Sequence, residues 1–369
     1  MKRVVVVGGG VAGMGVAWRL ATAGVAVTLV ERDTLGRAAS WAAAGMLAPA
    51  AEIGFDELDL YALGRESLAL WPAFAQELEQ ASGHAVGYDD AGTLVVADDR
   101  DSARALRRLF QFQQAQGVPV TWLSGREAAE AEPALTSRIP AAILSPEDHQ
   151  VDNRAVVAAL TEAVQRAGVI VREHTEAVVV EPGRPASVVL SGGERIDAEA
   201  VVLAAGAWSG DLDGLSPAPP VRPVKGQALA LRMNADVQFR RVVRGPRAYL
   251  VPKADGRLVV GATSEERGED TALTAGGLYR LLEGAVRVAP GVEELDVVET
   301  WAGLRPASLD HAPILGRAHA PGVFLATGAY RHGFLLLPAM AAIVAADVLA
   351  GIAGHRGEVP PAFAAIRFG

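Results

Sequence analysis

The apolar positions of this chain begin as short unbroken runs and change later to alternation, and that change marks out the architecture. Residues 4–7 and 25–30 are apolar almost throughout, as in strands covered on both faces of a parallel sheet, and residues 14–23 between them follow helical spacing. Helical periodicity returns over residues 56–82 and about 101–116, and Asp152 and Asn153 cap an amphipathic helix over 154–167. Short strands are predicted near 92–97, 169–171 and 177–180, and another buried parallel strand starts at Val201 and ends in a glycine turn. From Pro217 to Trp301 a period of two dominates, with strands at 227–231, 248–252 and 257–261. The last portion, 323–351, reads as a strand, a glycine-rich turn and a helix beginning near Phe334.

The pattern predicts an α/β protein with two domains, both discontinuous. A Rossmann-like nucleotide domain, a parallel sheet with helices, takes residues 1–86, 148–218 and 305–369, and a β-rich α+β substrate domain takes 87–147 and 219–304. The Pro-rich stretch at Ser216 marks a crossing between them, and there is no internal repeat.

Gly8, Gly10 and Gly13 fall on a G-x-G-x-x-G pattern between the first strand and the first helix, with Val11 and Ala12 inside it. Glycine lets the backbone approach a pyrophosphate, and the helix N-terminus offers unpaired N–H groups and partial positive charge. Glu31, about 20 residues further on at the end of the second strand, is placed to accept hydrogen bonds from a ribose, with Arg32 beside it. Two alternatives are a glycine packing turn without a ligand and a secretory signal; glycines break up the apolar stretch that a signal needs, and charged residues follow the second strand.

Composition narrows the class of protein. The 369 residues suffice for about two domains, and the net charge of −9 argues against a surface that tracks nucleic-acid phosphates. The longest apolar run, 334–346, contains Pro338 and is shorter than the roughly 20 residues of a membrane span, so a cytoplasmic enzyme is expected. With no cysteine in the chain, disulfides, thiolate nucleophiles, iron–sulfur ligation and cysteinyl attachment of a cofactor are excluded. The seven histidines show no metal-binding spacing, so no metal site is expected; His311 and His319 read as loop residues.

Two arginines stand in apolar, glycine-punctuated settings near the C-terminal end. Arg305 precedes Pro306, which biases it towards an extended conformation, and its guanidinium fork matches a carboxylate, of a ligand or of a structural ion pair. Tyr249 can add a hydroxyl donor to the same carboxylate, or serve as a half-buried strand tyrosine. Arg331 lies in the turn before the last helix.

The order of several blocks along nearly the whole chain resembles the glycine oxidases, the thiamine-pathway branch of the D-amino-acid oxidase superfamily. Those blocks are Gly8-Gly-Gly-x-x-Gly with Glu31, Ala42-Ala-Ala-Gly-Met-Leu, Pro223-Val-Lys-Gly-Gln, Tyr249-Leu-Val-Pro, Gly256-Arg-Leu-Val-Val-Gly-Ala-Thr, Trp301-Ala-Gly-Leu-Arg-Pro and Arg331-His-Gly-Phe-Leu-Leu-Leu-Pro-Ala. The resemblance implies non-covalent FAD and oxidative deamination of a small amine-bearing carboxylate, with O2 as acceptor and hydrogen peroxide as product. It also implies a homo-oligomer, dimer or tetramer, and hand-off of the imine to a thiazole synthase. At the cofactor it places Gly8, Gly10, Val11, Ala12, Gly13, Glu31, Arg32, Ala39, Ser40, Ala44, Gly45, Met46, Val178, Gly206 and Trp208, followed by Gly328, Ala329, Tyr330, Arg331, His332, Gly333, Phe334 and Leu335. At the substrate it places Arg305, Tyr249 and Arg331. Negative charge arriving at the flavin would meet N–H groups of the 328–333 turn and the N-terminus of the last helix. Other readings are a broader D-amino acid or sarcosine oxidase, a dehydrogenase that passes electrons to a quinone, and a non-catalytic FAD-binding or tRNA-modifying module.

The chain departs from the family at two pocket positions. Arg247 stands where glycine oxidases can carry histidine, and Ser264 where they can carry methionine, so more room around the substrate Cα is expected unless Arg247 fills it.

Overall fold

The computed structural model describes residues 2–52 and 54–368. One six-stranded sheet runs in the order Ile314–Arg317, Val323–Thr327, Ala200–Leu203, Arg3–Val7, Ala26–Val30, Ile170–Arg172, with every neighbouring pair parallel except the first. Its valines sort by parity, because successive side chains of a strand point to opposite faces. Val4 and Val6 join a core with Met14, Trp71, Leu160 and Met340, from the helices Val11–Thr22, Leu58–Ser82, Asn153–Arg166 and Leu337–Ile352. Val5 and Val7 face the opposite way, onto a core with Val188 and Leu190 from the three-stranded antiparallel sheet of Ala177–Glu181, Ala186–Leu190 and Arg195–Ala198.

The second unit is an eight-stranded sheet ordered Asp296–Ser308, Val221–Arg232, Arg257–Gly261, Tyr249–Pro252, Val242–Arg244, Thr93–Val96, Ala141–Ser145, Thr121–Ser124. One face, through Leu229, Leu231, Leu250 and Val260, packs on Leu281, Ala285 and Val288 of the helix Ala275–Val288. The other, through Ala228, Ala230, Val251 and Val259, packs with Trp301 against Ala44.

Three details differ from the pattern in the sequence. The helix Ala275–Val288 interrupts the expected alternation; its glycines lower helix propensity, yet a Cβ on Gly277 would lie 2.4 Å from the Gln227 side chain, so packing selects them. Strand Asp296–Ser308 runs unbroken through the expected boundary at 305, because it pairs with Val221–Arg232 as far as Val221 opposite Ser308, and Arg305 therefore belongs to the eight-stranded sheet. The last helix begins at Leu337, with Pro338 in its first turn, and residues near Phe334 form turns before it.

Gly8 has φ of +106°, and a Cβ on Gly13 would sit 1.9 Å from the Gly8 carbonyl oxygen. The first helix can approach its strand only because Gly13 is bare. Gly13→Ala is therefore expected to lower the unfolding free energy by about 1–3 kcal/mol through overpacking. Urea denaturation of the flavin-free protein checks this against Gly192→Ala, where an added Cβ meets nothing within 4 Å and the change stays within about 0.5 kcal/mol.

Candidate active site

Where the two sheets meet, residues of both line one cavity of about 1120 Å3. That is at or above the upper end of ordinary small-molecule pockets, large enough for an extended dinucleotide with a small substrate. Gly8, Gly10, Val11, Ala12, Glu31 and Arg32 line it, as do Ala39, Ser40, Ala44, Gly45, Met46, Val178, Gly206 and Trp208. So do Gly328, Ala329, Tyr330, Arg331, Gly333, Phe334, Tyr249, Ser264 and Arg305.

Four expected site residues lie elsewhere. Gly13 is taken up by helix–strand packing, as above. The Leu335 side chain is buried in the helical core, where the Leu335 carbonyl accepts hydrogen bonds from Ser67 and Trp71. His332 does not line the cavity; it is buried behind Glu52, which does. Arg247 pairs with Glu283 at 3.1 Å and does not line the cavity, because its Cβ packs against Gly284 of the helix Ala275–Val288.

The nucleotide end is built from local geometry. At the start of helix Val11–Thr22 the Val11 amide donates to the neutral Ser40 hydroxyl at 3.0 Å, and with no acidic residue in the first turn the N-terminus stays attractive to phosphate. Glu31 Oε2 accepts from the Gly9 amide at 2.7 Å and Oε1 from the Asp33 amide at 2.9 Å, so the carboxylate is held at the cavity wall with lone pairs to spare. The Arg32 guanidinium lies 3.5 Å from the centroid of the Trp208 ring, and Trp208 Nε1 is buried without a partner. An orphaned indole donor, a glycine-rich helix N-terminus without an acidic residue and an anchored carboxylate in one cavity fit a bound FAD.

The small-residue segment 38–46 forms the middle of the wall. It has no large side chains of its own apart from Trp41 and Met46, and residues distant in sequence grip it. Asn153 Nδ2 donates to the Ser40 and Trp41 carbonyls, Trp301 Nε1 to the Ala42 carbonyl at 2.9 Å, and Lys253 Nζ to the Ala44 and Val151 carbonyls, both at 2.7 Å. Burial pushes the Lys253 ammonium down to about 7. None of these three was legible in the sequence as a site residue, since nothing in a lysine just past a strand or a helix-start asparagine reveals whose carbonyls it meets.

At the far end, Arg305 Nη1 donates to the Thr263 carbonyl at 3.1 Å, and its guanidinium lies over Gly226, where a Cβ would be 2.5 Å away. Tyr249 is the neighbour of Arg305. Burial raises its pKa against the opposing pull of that guanidinium, so its phenol keeps its proton. Beside them lies a carboxylate that the sequence did not single out. Glu52 Oε1 accepts from Arg244 Nη1 at 2.9 Å, and His332 Nδ1 is 3.4 Å from Glu52 Oε2. Burial alone would raise Glu52, but Arg244, with Arg331 and Arg305, outweighs it and holds the carboxyl below its usual value. Burial lowers the His332 imidazole in spite of Glu52, so the ring favours its neutral form. Arg331 is only loosely engaged, 3.7 Å from Glu57 Oε2. Among the described residues there is no group of three potential metal ligands, and no helix is long and apolar enough to cross a membrane.

The chain is similar to several known proteins. Residues 3–346 match the family described as FAD dependent oxidoreductase. The chain is 37% identical to a glycine oxidase of Geobacillus kaustophilus, over 93% of this chain and 91% of that protein. It is 36% identical to the bifunctional protein ThiO/ThiG of Trichormus variabilis, over 93% of this chain but 52% of that protein, so it spans about half of such fused relatives. The crystal structure of glycine oxidase from Geobacillus kaustophilus superposes with a TM-score of 0.91 at 34% identity, covering 100% of this chain and 99% of that one. Iminodiacetate oxidase from Chelativorans sp. BNC1 gives 0.85 at 28% identity, with 98% of each chain covered.

Glu52 is placed by a second buried acid. Asp148 accepts from the amides of Ala50 and Ala51 at 2.9 and 2.8 Å, capping the short turn Pro49–Glu52, and burial pushes its carboxyl up to about 7. A folded-state value above the unfolded one means that its stabilising contribution is full below about pH 4 and is lost as the pH rises through about 7. The stability of the wild type relative to Asp148→Asn is therefore expected to fall between pH 4 and pH 8. Urea midpoints at a series of pH values read this directly, and a difference that grows with pH contradicts it.

Proposed function

The chain belongs to the FAD-dependent oxidoreductase family, and on that footing we propose that it oxidatively deaminates glycine and other small amines or D-amino acids to the imine and oxo acid, reducing O2 to hydrogen peroxide. The observation that carries the reading is the Arg305 fork, with Tyr249 beside it, opening into the same cavity as the nucleotide cradle. In this reading the six-stranded unit, residues 1–86, 148–218 and about 309–369, holds the cofactor, and the eight-stranded unit presents the substrate.

FAD, when bound, supplies acceptance of a hydride from the substrate Cα. The chain's own residues do the rest by placement. Arg305 takes the substrate carboxylate in a charge-assisted pair, and the protonated Tyr249 hydroxyl donates a further bond. Holding the carboxylate at this wall fixes the direction of Cα–H and of the amine. Glu52 is already engaged by Arg244, and the buried His332 does not line the cavity, so the reading assigns neither the work of a base. Residues 328–331 and 333 line the cavity, and in this reading those amides of the turn that are not bonded to the Pro306 and Ala329 carbonyls supply donors where negative charge accumulates. The reading extends to a cytoplasmic homo-oligomer and to hand-off of the imine to a thiazole synthase, for which the fused ThiO/ThiG relatives are the support.

The test is a peroxide assay on the flavin-loaded protein with glycine, sarcosine, D-alanine and D-proline. Arg305→Ala is expected to cost about 2–5 kcal/mol in kcat/KM while FAD content stays unchanged, with only partial recovery in Arg305→Lys. Wild-type turnover in the alanine variant removes Arg305 from the site.

Ser264 sits on the cavity wall, and Arg247 does not reach in to fill the space beside it. Refilling that space with Ser264→Met is expected to lower kcat/KM for D-alanine and D-proline more than for glycine, by about 1–3 kcal/mol. An equal effect on all substrates places the side-chain pocket elsewhere.

A further inference from the structure

The Pro223-Val-Lys-Gly-Gln block is prominent in the sequence, yet the reading above uses only its glycine. Strand alternation splits it: Gly226 and Ala228 line the cavity, while Lys225 and Gln227 point to the opposite face. Neither long polar side chain is exposed at all. A buried ammonium is costly unless its protons are matched. Lys225 Nζ donates to Asp270 Oδ2 at 2.8 Å and to the Ala272 carbonyl at 2.5 Å. Gln227 Nε2 donates to Glu265 Oε1 at 2.7 Å and to Thr274 Oγ1 at 3.0 Å, and its carbonyl accepts from the Thr274 amide at 2.8 Å. Backbone bonds follow the same course, with Lys225 and Glu265 exchanging amide and carbonyl and the Gln227 amide donating to Thr263 Oγ1.

All these grips fall on one stretch, residues 262–274, which leaves the strand Arg257–Gly261, runs out to exposed residues around Gly268, and returns at the helix Ala275–Val288. The same stretch turns its other side to the cavity, through Ala262, Thr263, Ser264, Glu269 and Thr271. It also holds the Thr263 carbonyl that accepts from Arg305 Nη1. The guanidinium is thus confined between that carbonyl and bare Gly226. A planar fork recognises a carboxylate through two parallel N–H bonds, so a small roll about its axis weakens both.

We propose that Lys225 and Gln227 are positioning residues that clamp residues 262–274 over the cavity and, through the Thr263 carbonyl, aim Arg305 at the substrate carboxylate. This rests on Arg305 being the carboxylate fork.

Replacing Lys225 itself risks the fold, so the test uses its exposed partner, Asp270→Ala, in the FAD-loaded enzyme. Asp270 also accepts from the Ala272 amide, so the change loosens the Lys225 grip while the Gln227 grip stays in place. The expected result is an approximately tenfold rise in KM for glycine and in the Kd of glycolate, read from the flavin absorbance, with kcat within about twofold and the ligand-free spectrum unchanged. In an Arg305→Ala background the same change is expected to add nothing to the loss in kcat/KM. Unaltered KM and Kd in Asp270→Ala, or an equal further loss in the Arg305→Ala background, overturns the proposal, because the clamp then does not act through Arg305. Glycolate affinity that survives Arg305→Ala overturns instead the underlying reading of Arg305.

Discussion

The pairing of Val221–Arg232 with Asp296–Ser308 is the joint on which the rest depends. Its register sets Val224 opposite Arg305 and Gly226 opposite Gly303, so the arginine fork lies diagonally over a residue with no side chain. A slip of one residue would turn every side chain of one strand to the other face, taking the Arg305 guanidinium away from its place over Gly226. On its other edge the Val221–Arg232 strand pairs with Arg257–Gly261, which in turn pairs with Tyr249–Pro252. Arg305, Gly226 and Tyr249 therefore meet because three strand registers agree.

Electrostatics finishes what the registers begin. Glu52 is the carboxylate among Arg244, Arg305 and Arg331, and its two oxygens already face Arg244 and His332. The Glu52 side chain is only 9% exposed, so the charges beside it interact strongly. Arg244 pairs with Glu52 and Arg331 lies near Glu57, whereas Arg305 has no carboxylate partner among the described residues, which suits an anionic substrate group, and a buried Tyr249 that keeps its proton adds a donor and no charge.

The cofactor wall follows a different economy. Segment 38–46 is made mostly of small residues, so that a planar ligand can lie close to its backbone, and small residues cannot anchor themselves. The anchoring comes from Asn153, Trp301 and Lys253, one from a helix of the six-stranded unit and two from or beside strands of the eight-stranded sheet. The wall between the two units is thus held by both.

Local patterns in the sequence were enough for the nucleotide half. An all-apolar strand, G-x-G-x-x-G, a helix and Glu31 interact within about thirty residues, so spacing along the chain is nearly spacing in space, and Val5 and Val7 could face one core while Val4 and Val6 faced another. Arg305 and Tyr249 stood out for their chemistry and motif context. Glu52, Arg244, Asn153 and Lys253 did not, since each owes its role to a partner more than a hundred residues away or to burial that no local pattern records. Arg247 shows the converse: motif position pointed it into the pocket, and packing on Gly284 with an ion pair to Glu283 drew it out. The sequence by itself determined which backbone can cradle a pyrophosphate and which side chains can bind a carboxylate. Tertiary structure decided which of those side chains face one cavity, because sheet register and the pairing of buried charges are settled between segments and not within them.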